Sequence, residues 1–81
     1  MGAHVSSWDD YTYTQLEQAI REACLGDIDA FIARRYLIGK RPHIEIAGEL
    51  LTRYGVQYDR STISHHWRKA EKKIRKRITE A

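Results

Sequence analysis

The sequence predicts an all-α fold, a compact bundle of four to five helices containing a long C-terminal helix, and three observations lead there. No segment alternates apolar and polar residues for more than a few positions, so a strand signal is nearly absent. Apolar residues instead recur at spacings of three and four, in runs bracketed by capping residues or glycine. At 81 residues, 42% hydrophobic and 31% charged, the chain is apolar enough to fold but too short for two cores or a roomy enclosed pocket. A single domain is therefore expected over residues 8–81, after a flexible stretch at residues 1–7.

The first helix follows "TYTQLEQAIREACLG". Thr14 and Glu17 have capping-box spacing, Leu16, Ala19, Ile20 and Ala23 form one apolar face, and Gly26 supplies the stop. Ahead of it, Trp8, Tyr11 and Tyr13 are expected to pack onto the helices. Asp27 is the expected cap of the second helix, "IDAFIARRYLI", with Ile28, Phe31, Ile32 and the Arg35 stem on one side and Gly39 at its end. Pro42 suits the first turn of a third helix, where its missing N–H breaks no bond. That helix carries Ile44, Ala47, Leu50, Leu51 and Tyr54 and closes at Gly55 in a left-handed conformation.

The fourth helix is the most strongly patterned. Asp59 caps it, and Ile63, Trp67, Ala70, Ile74 and Ile78 fall within about 80° of one another on a helical wheel, a single core-facing stripe. Ser61, His65, Arg68, Lys72 and Lys76 lie on the opposite side, flanked by Ser64, Lys69 and Arg75. The charge is sorted along the chain as well. Residues 1–59 carry 6 basic and 9 acidic side chains, net −3, whereas residues 60–81 carry 8 and 2, net +6. A solvated helix face usually mixes signs for i, i+4 pairing, so a run this one-sided points to a polyanionic partner.

Two helices joined by a short turn, the second presenting polar and basic residues outward, make a helix-turn-helix, here at about residues 43–79. A B-DNA major groove about 12 Å wide admits one helix, whose first turns reach base edges. Arg60, Ser61, Thr62, Ser64, His65 and Arg68 are then expected at the bases, and Lys69, Lys72, Lys73, Arg75 and Lys76 at phosphates. Arg34, Arg35, Lys40 and Arg41 form a second basic group that either complements a helix dipole or, through Lys40 and Arg41, grips backbone phosphate. His65 and His66 point about 100° apart and do not form a shared metal site; His65 faces the groove and His66 packs beside Trp67.

The same residues resemble a known family. "IEIAGELL" followed by "STISHHWRKAEKKIRK" is similar to the DNA-binding fourth region of bacterial sigma factors and to the small phage and bacterial transcription regulators that share its helix-turn-helix. Those proteins open the supporting helix with Glu-Ile-Ala, matched by Glu45, Ile46 and Ala47. Their recognition helix carries an apolar residue, an alanine seven positions on and a Lys-apolar-Arg triplet, matched by Ile63, Ala70 and Lys73, Ile74, Arg75. The resemblance spans about residues 27–78 and implies a regulator of phage or bacterial origin. From Ala47 to Ile63 the chain takes 16 steps, more than the family uses, which implies a supporting helix longer by about one turn and a looser turn.

The expected partners are double-stranded DNA and, because one module makes few base contacts, either a second copy in a homodimer or RNA polymerase. The first helix and the aromatic N-terminus are the expected partner surface. Competing readings are a module docking on polymerase or another acidic protein, and a phage DNA-packaging or recombination accessory protein. RNA fits less well without an aromatic-studded sheet.

No cofactor, metal, membrane or small-molecule substrate is expected, and no enzymatic activity. No glycine-rich phosphate loop or general acid–base pair appears, and Cys24, the single cysteine, reads as a small buried hydrophobe. One cysteine permits no intramolecular disulfide, which suits a cytoplasmic setting. No run reaches the roughly 18 apolar residues of a membrane span. The opening "MGAHVS" also fits the loose myristoylation pattern of Gly2 and Ser6, a short match that nothing else in the chain supports.

Overall fold

Every element among the described residues is helical, and the reason lies in how the apolar residues are spaced. The computed structural model describes residues 8–80, apart from the side chains of residues 9, 79 and 80. The expectations for Gly2, Ser6 and the rest of residues 1–7 lie outside the described residues. A 3-10 turn, Trp8–Asp10, leads into α1, Tyr13–Glu22; α2, Asp27–Ala33, runs on into a π-helical turn, Arg34–Ile38; then come α3, His43–Tyr54, and α4, Arg60–Glu80. The 21-residue α4 is about 31 Å long. It packs against α1, α2 and α3 and forms the spine of the bundle.

The core is built where α4's stripe meets the other three helices. Ile63, Trp67, Ala70 and Ile74 are buried, with Ile78 half-buried at the end of the row. They meet Leu16, Ala19, Ile20 and Ala23 of the α1 region, Ile32, Ala33 and Leu37 of α2 and its π turn, and Ile46 and Leu50 of α3. Asp59 caps α4 as the sequence predicts: its Oδ1 accepts from the Thr62 N–H at 2.8 Å. Those hydrogen bonds hold the Asp59 carboxyl below its ordinary pKa, since they favour the ionised form.

Several local expectations shift. The capping box of α1 is Thr12 with Gln15, not Thr14 with Glu17: the Gln15 N–H donates to Thr12 Oγ1 at 3.1 Å and the Thr12 N–H to Gln15 Oε1 at 2.8 Å. Starting two residues earlier leaves Glu17 free to meet Arg34. Gly26 does not stop α1. Cys24 turns the chain with φ 55°, a left-handed and exposed position rather than the buried one expected, and Gly26 N-caps α2 in an extended conformation, leaving Asp27 as the first helical residue. Pro42 is likewise the N-cap of α3 rather than a member of its first turn.

Trp8 and Tyr11 pack against the core as expected, but Tyr13, the first residue of α1, is 65% exposed. Of the five residues expected on the apolar face of α3, Leu50 is buried and Ala47 packs against the core, but Ile44, Leu51 and Tyr54 are exposed, and Ile46 completes the buried face instead. Ile44 lies about 160° around the helix from Ile46, and it is 67% exposed, with Leu51 at 52%. Gly55, by contrast, closes α3 in the left-handed conformation expected of it, φ 67°.

The α2 segment ends at Gly39 as the sequence predicts, but through a π turn that was not foreseen. Its last turn widens so that the Gly39 N–H bonds the Arg34 carbonyl at 3.0 Å, five residues back. Gly39 has an ordinary φ of −77°; glycine is needed there because a Cβ would sit 2.9 Å from the Arg35 carbonyl oxygen. The left-handed residue that ends this turn is Lys40, φ 57°.

Candidate nucleic-acid interface

Between the start of α3 and the first three turns of α4 lies an open cleft of about 420 Å³, lined by His43, Arg60, Ser61, Ser64, His65 and Arg68. Five of these are residues the sequence places at DNA bases. They converge because the N-terminal half of α4 turns residues 61, 64, 65 and 68 outward while Ile63 and Trp67 anchor the opposite side. Among the described residues no carboxylate lines the cleft. Its donors are two guanidinium groups, two imidazoles and two hydroxyls, a set suited to anionic oxygens and to the acceptor-rich edges of purines.

Thr62, also expected at the bases, does not line the cleft; it is half-buried, and its backbone N–H serves the Asp59 cap. His43 was not singled out from sequence, since it sits 17 positions before Arg60 and only the path through Gly55 brings it there. Its ring lies tilted against that of Tyr36, 4.8 Å between centroids, and Tyr36 in turn lies 4.8 Å from Trp67. His43 Nε2 is buried without a hydrogen-bond partner. Burial and the nearby Arg60 charge lower its pKa, so near neutral pH the imidazole is held in its uncharged form.

Beyond the cleft, Lys69, Lys72, Lys73 and Lys76 are exposed along α4. Arg75 is occupied differently: its Nη2 lies 3.1 Å from Glu71 Oε2 and its guanidinium 4.1 Å above the Trp8 ring, whose Nε1 also donates to Glu71. Of the second basic group, Arg34 pairs with Glu17 at 2.8 Å, Arg35 lies 3.3 Å from Glu49, and Arg41 bonds Glu45 at 3.2 Å. Lys40 lines a separate groove with Trp8, Tyr11 and Leu37.

The adjacent histidines divide as their 100° separation requires. His65 enters the cleft, whereas His66 stacks on Tyr58 at 4.8 Å and pairs with Asp29 of α2 at 2.8 Å, a tie across the bundle rather than the packing beside Trp67 expected for it. Among the described residues no group of three His, Cys, Asp or Glu side chains is arranged to hold a metal. None of the described helices is long and apolar enough to cross a membrane. No protein-family model, curated protein or solved structure matches this chain.

Proposed function

We propose that the protein binds duplex DNA as a regulator of transcription, with α3 and α4 acting as a helix-turn-helix similar to region four of bacterial sigma factors, in a phage or bacterial setting. The observation that carries the reading is the acid-free cleft, in which Arg60, Ser61, Ser64, His65 and Arg68 come together at the leading end of a 21-residue helix. That end enters the major groove; Lys69, Lys72, Lys73 and Lys76 follow along the same helix and meet phosphates. Arg41, tied to Glu45, and Arg75, tied to Glu71 and Trp8, contribute less than their charge suggests.

A second reading, a module that docks on a protein partner, draws on Ile44 and Leu51, which α3 presents outward instead of to the core. Salt separates the two. With about six phosphate contacts, affinity for a mixed-sequence duplex falls by about 10³ between roughly 50 and 200 mM salt. A flat response, or no duplex binding at low salt, would discard the DNA reading. Selection of bound duplexes from a random pool then shows by footprint symmetry whether one module or two engage.

A further inference from the structure

Among the described cleft residues His43 is the one that α4 does not supply, and its surroundings are unfavourable in the free protein but not in a protein holding an anion. The groups facing it are the Tyr36 ring from the π turn and, across the cleft, Arg60, Ser61, Ser64, His65 and Arg68 from α4. None is acidic. The buried Nε2 has no partner, although leaving a buried polar nitrogen unpaired is destabilising. An anionic oxygen placed in the cleft removes both penalties at once: it accepts from the imidazole and offsets the repulsion of the arginines.

We propose that His43 is itself a DNA-contacting residue: on binding its ring turns to bring the buried Nε2–H to a backbone phosphate oxygen, and it takes up a proton from solvent as the phosphate arrives. The inference rests on the DNA reading of the same cleft and adds to it a contact outside the recognition helix and a pH dependence. A neutral base acceptor would satisfy the nitrogen without drawing a proton, so proton uptake distinguishes phosphate from base. The neutral form dominates in the free protein because burial and Arg60 both oppose protonation. Bound phosphate favours the charged form. Affinity therefore rises as pH falls through the bound-state pKa and levels off below the free-state value.

The test measures duplex affinity by fluorescence anisotropy at fixed salt from about pH 8 to about pH 6. The wild-type protein should tighten by about tenfold, the limit for one linked proton per pH unit being tenfold. His43→Gln should lose most of that gain, and His65→Gln should keep it. Calorimetry of the wild-type protein in two buffers of different ionisation enthalpy should register proton uptake on binding, a readout that does not depend on how well either variant folds. Binding that is flat with pH, or pH dependence abolished by His65→Gln and kept by His43→Gln, overturns the inference and leaves the DNA reading standing. Absence of duplex binding at every pH overturns the reading, and the inference with it.

Discussion

The two basic groups of this protein look alike as residue types and differ in their surroundings. Arg34, Arg35 and Arg41 each face a glutamate, supplied respectively by α1, by α3 and by the first turn of α3. Arg60 and Arg68 stand in a cleft that no glutamate or aspartate lines, and neither they nor Lys69, Lys72 and Lys73 form an ion pair with a described residue. The first group holds helices together; the second presents uncompensated charge. A count of arginines and lysines does not tell these apart, whereas the position of the acids does.

The sharpest way to set structure against interface is at Trp67, which is 6% exposed and touches both Trp8 and Tyr36. Trp67→Ala should destabilise the domain by about 3–5 kcal/mol in denaturant titration, because it leaves a large cavity beneath the cleft. Unchanged stability would mean that α4's inward stripe has been assigned to the wrong side.

A smaller effect is expected at Glu17, the partner of Arg34. Hydrogen bonding to Arg34 lowers its pKa, outweighing the opposing effect of burial. Its stabilisation is therefore complete above the ordinary carboxylate pKa and is lost as pH falls through the depressed folded-state value. Glu17→Gln should lower stability near neutral pH by about 1 kcal/mol, allowing for the half-exposed arginine, and should remove that part of the acid-induced loss. A variant whose acid unfolding curve overlays the wild type's would show that the pair contributes nothing measurable.

Least of all should the basic residues of α4 affect folding. Arg68→Ala and Lys72→Ala should each change stability by no more than about 0.5 kcal/mol, while separating in their effect on DNA. Arg68→Ala should relax sequence preference at a cost of about 1–3 kcal/mol, and Lys72→Ala should weaken all sequences alike and reduce the salt slope by about one. Equal, sequence-blind losses at both positions would contradict the division between bases and phosphates.

How far these roles can be read from sequence depends on the range of the interaction concerned. Asp59 and Thr62 are three residues apart, and α4's stripe repeats over five residues, so cap, helix and buried side were all legible before any fold was known. On α3 two apolar rows compete, and the row with more large side chains, Ile44, Leu51 and Tyr54, is the outward one. Only contact with α4 makes Ile46 and Leu50 the core pair. The pairing of Arg34 with Glu17 and the arrival of His43 beside α4 join residues 17 apart in sequence in each case, with a helix boundary between them. No local spacing rule encodes such meetings.

The π turn at Arg34–Ile38 has a consequence for how the chain tolerates changes in length. A helical turn closed five residues back holds one residue more than one closed four residues back, so this segment is an α-helix carrying a single-residue insertion. Deleting one residue there would leave every cleft side chain in place in the sequence and still turn whatever follows by about 100° relative to α2. The company His43 keeps is thus fixed by a tally of residues upstream as much as by the identity of any of them.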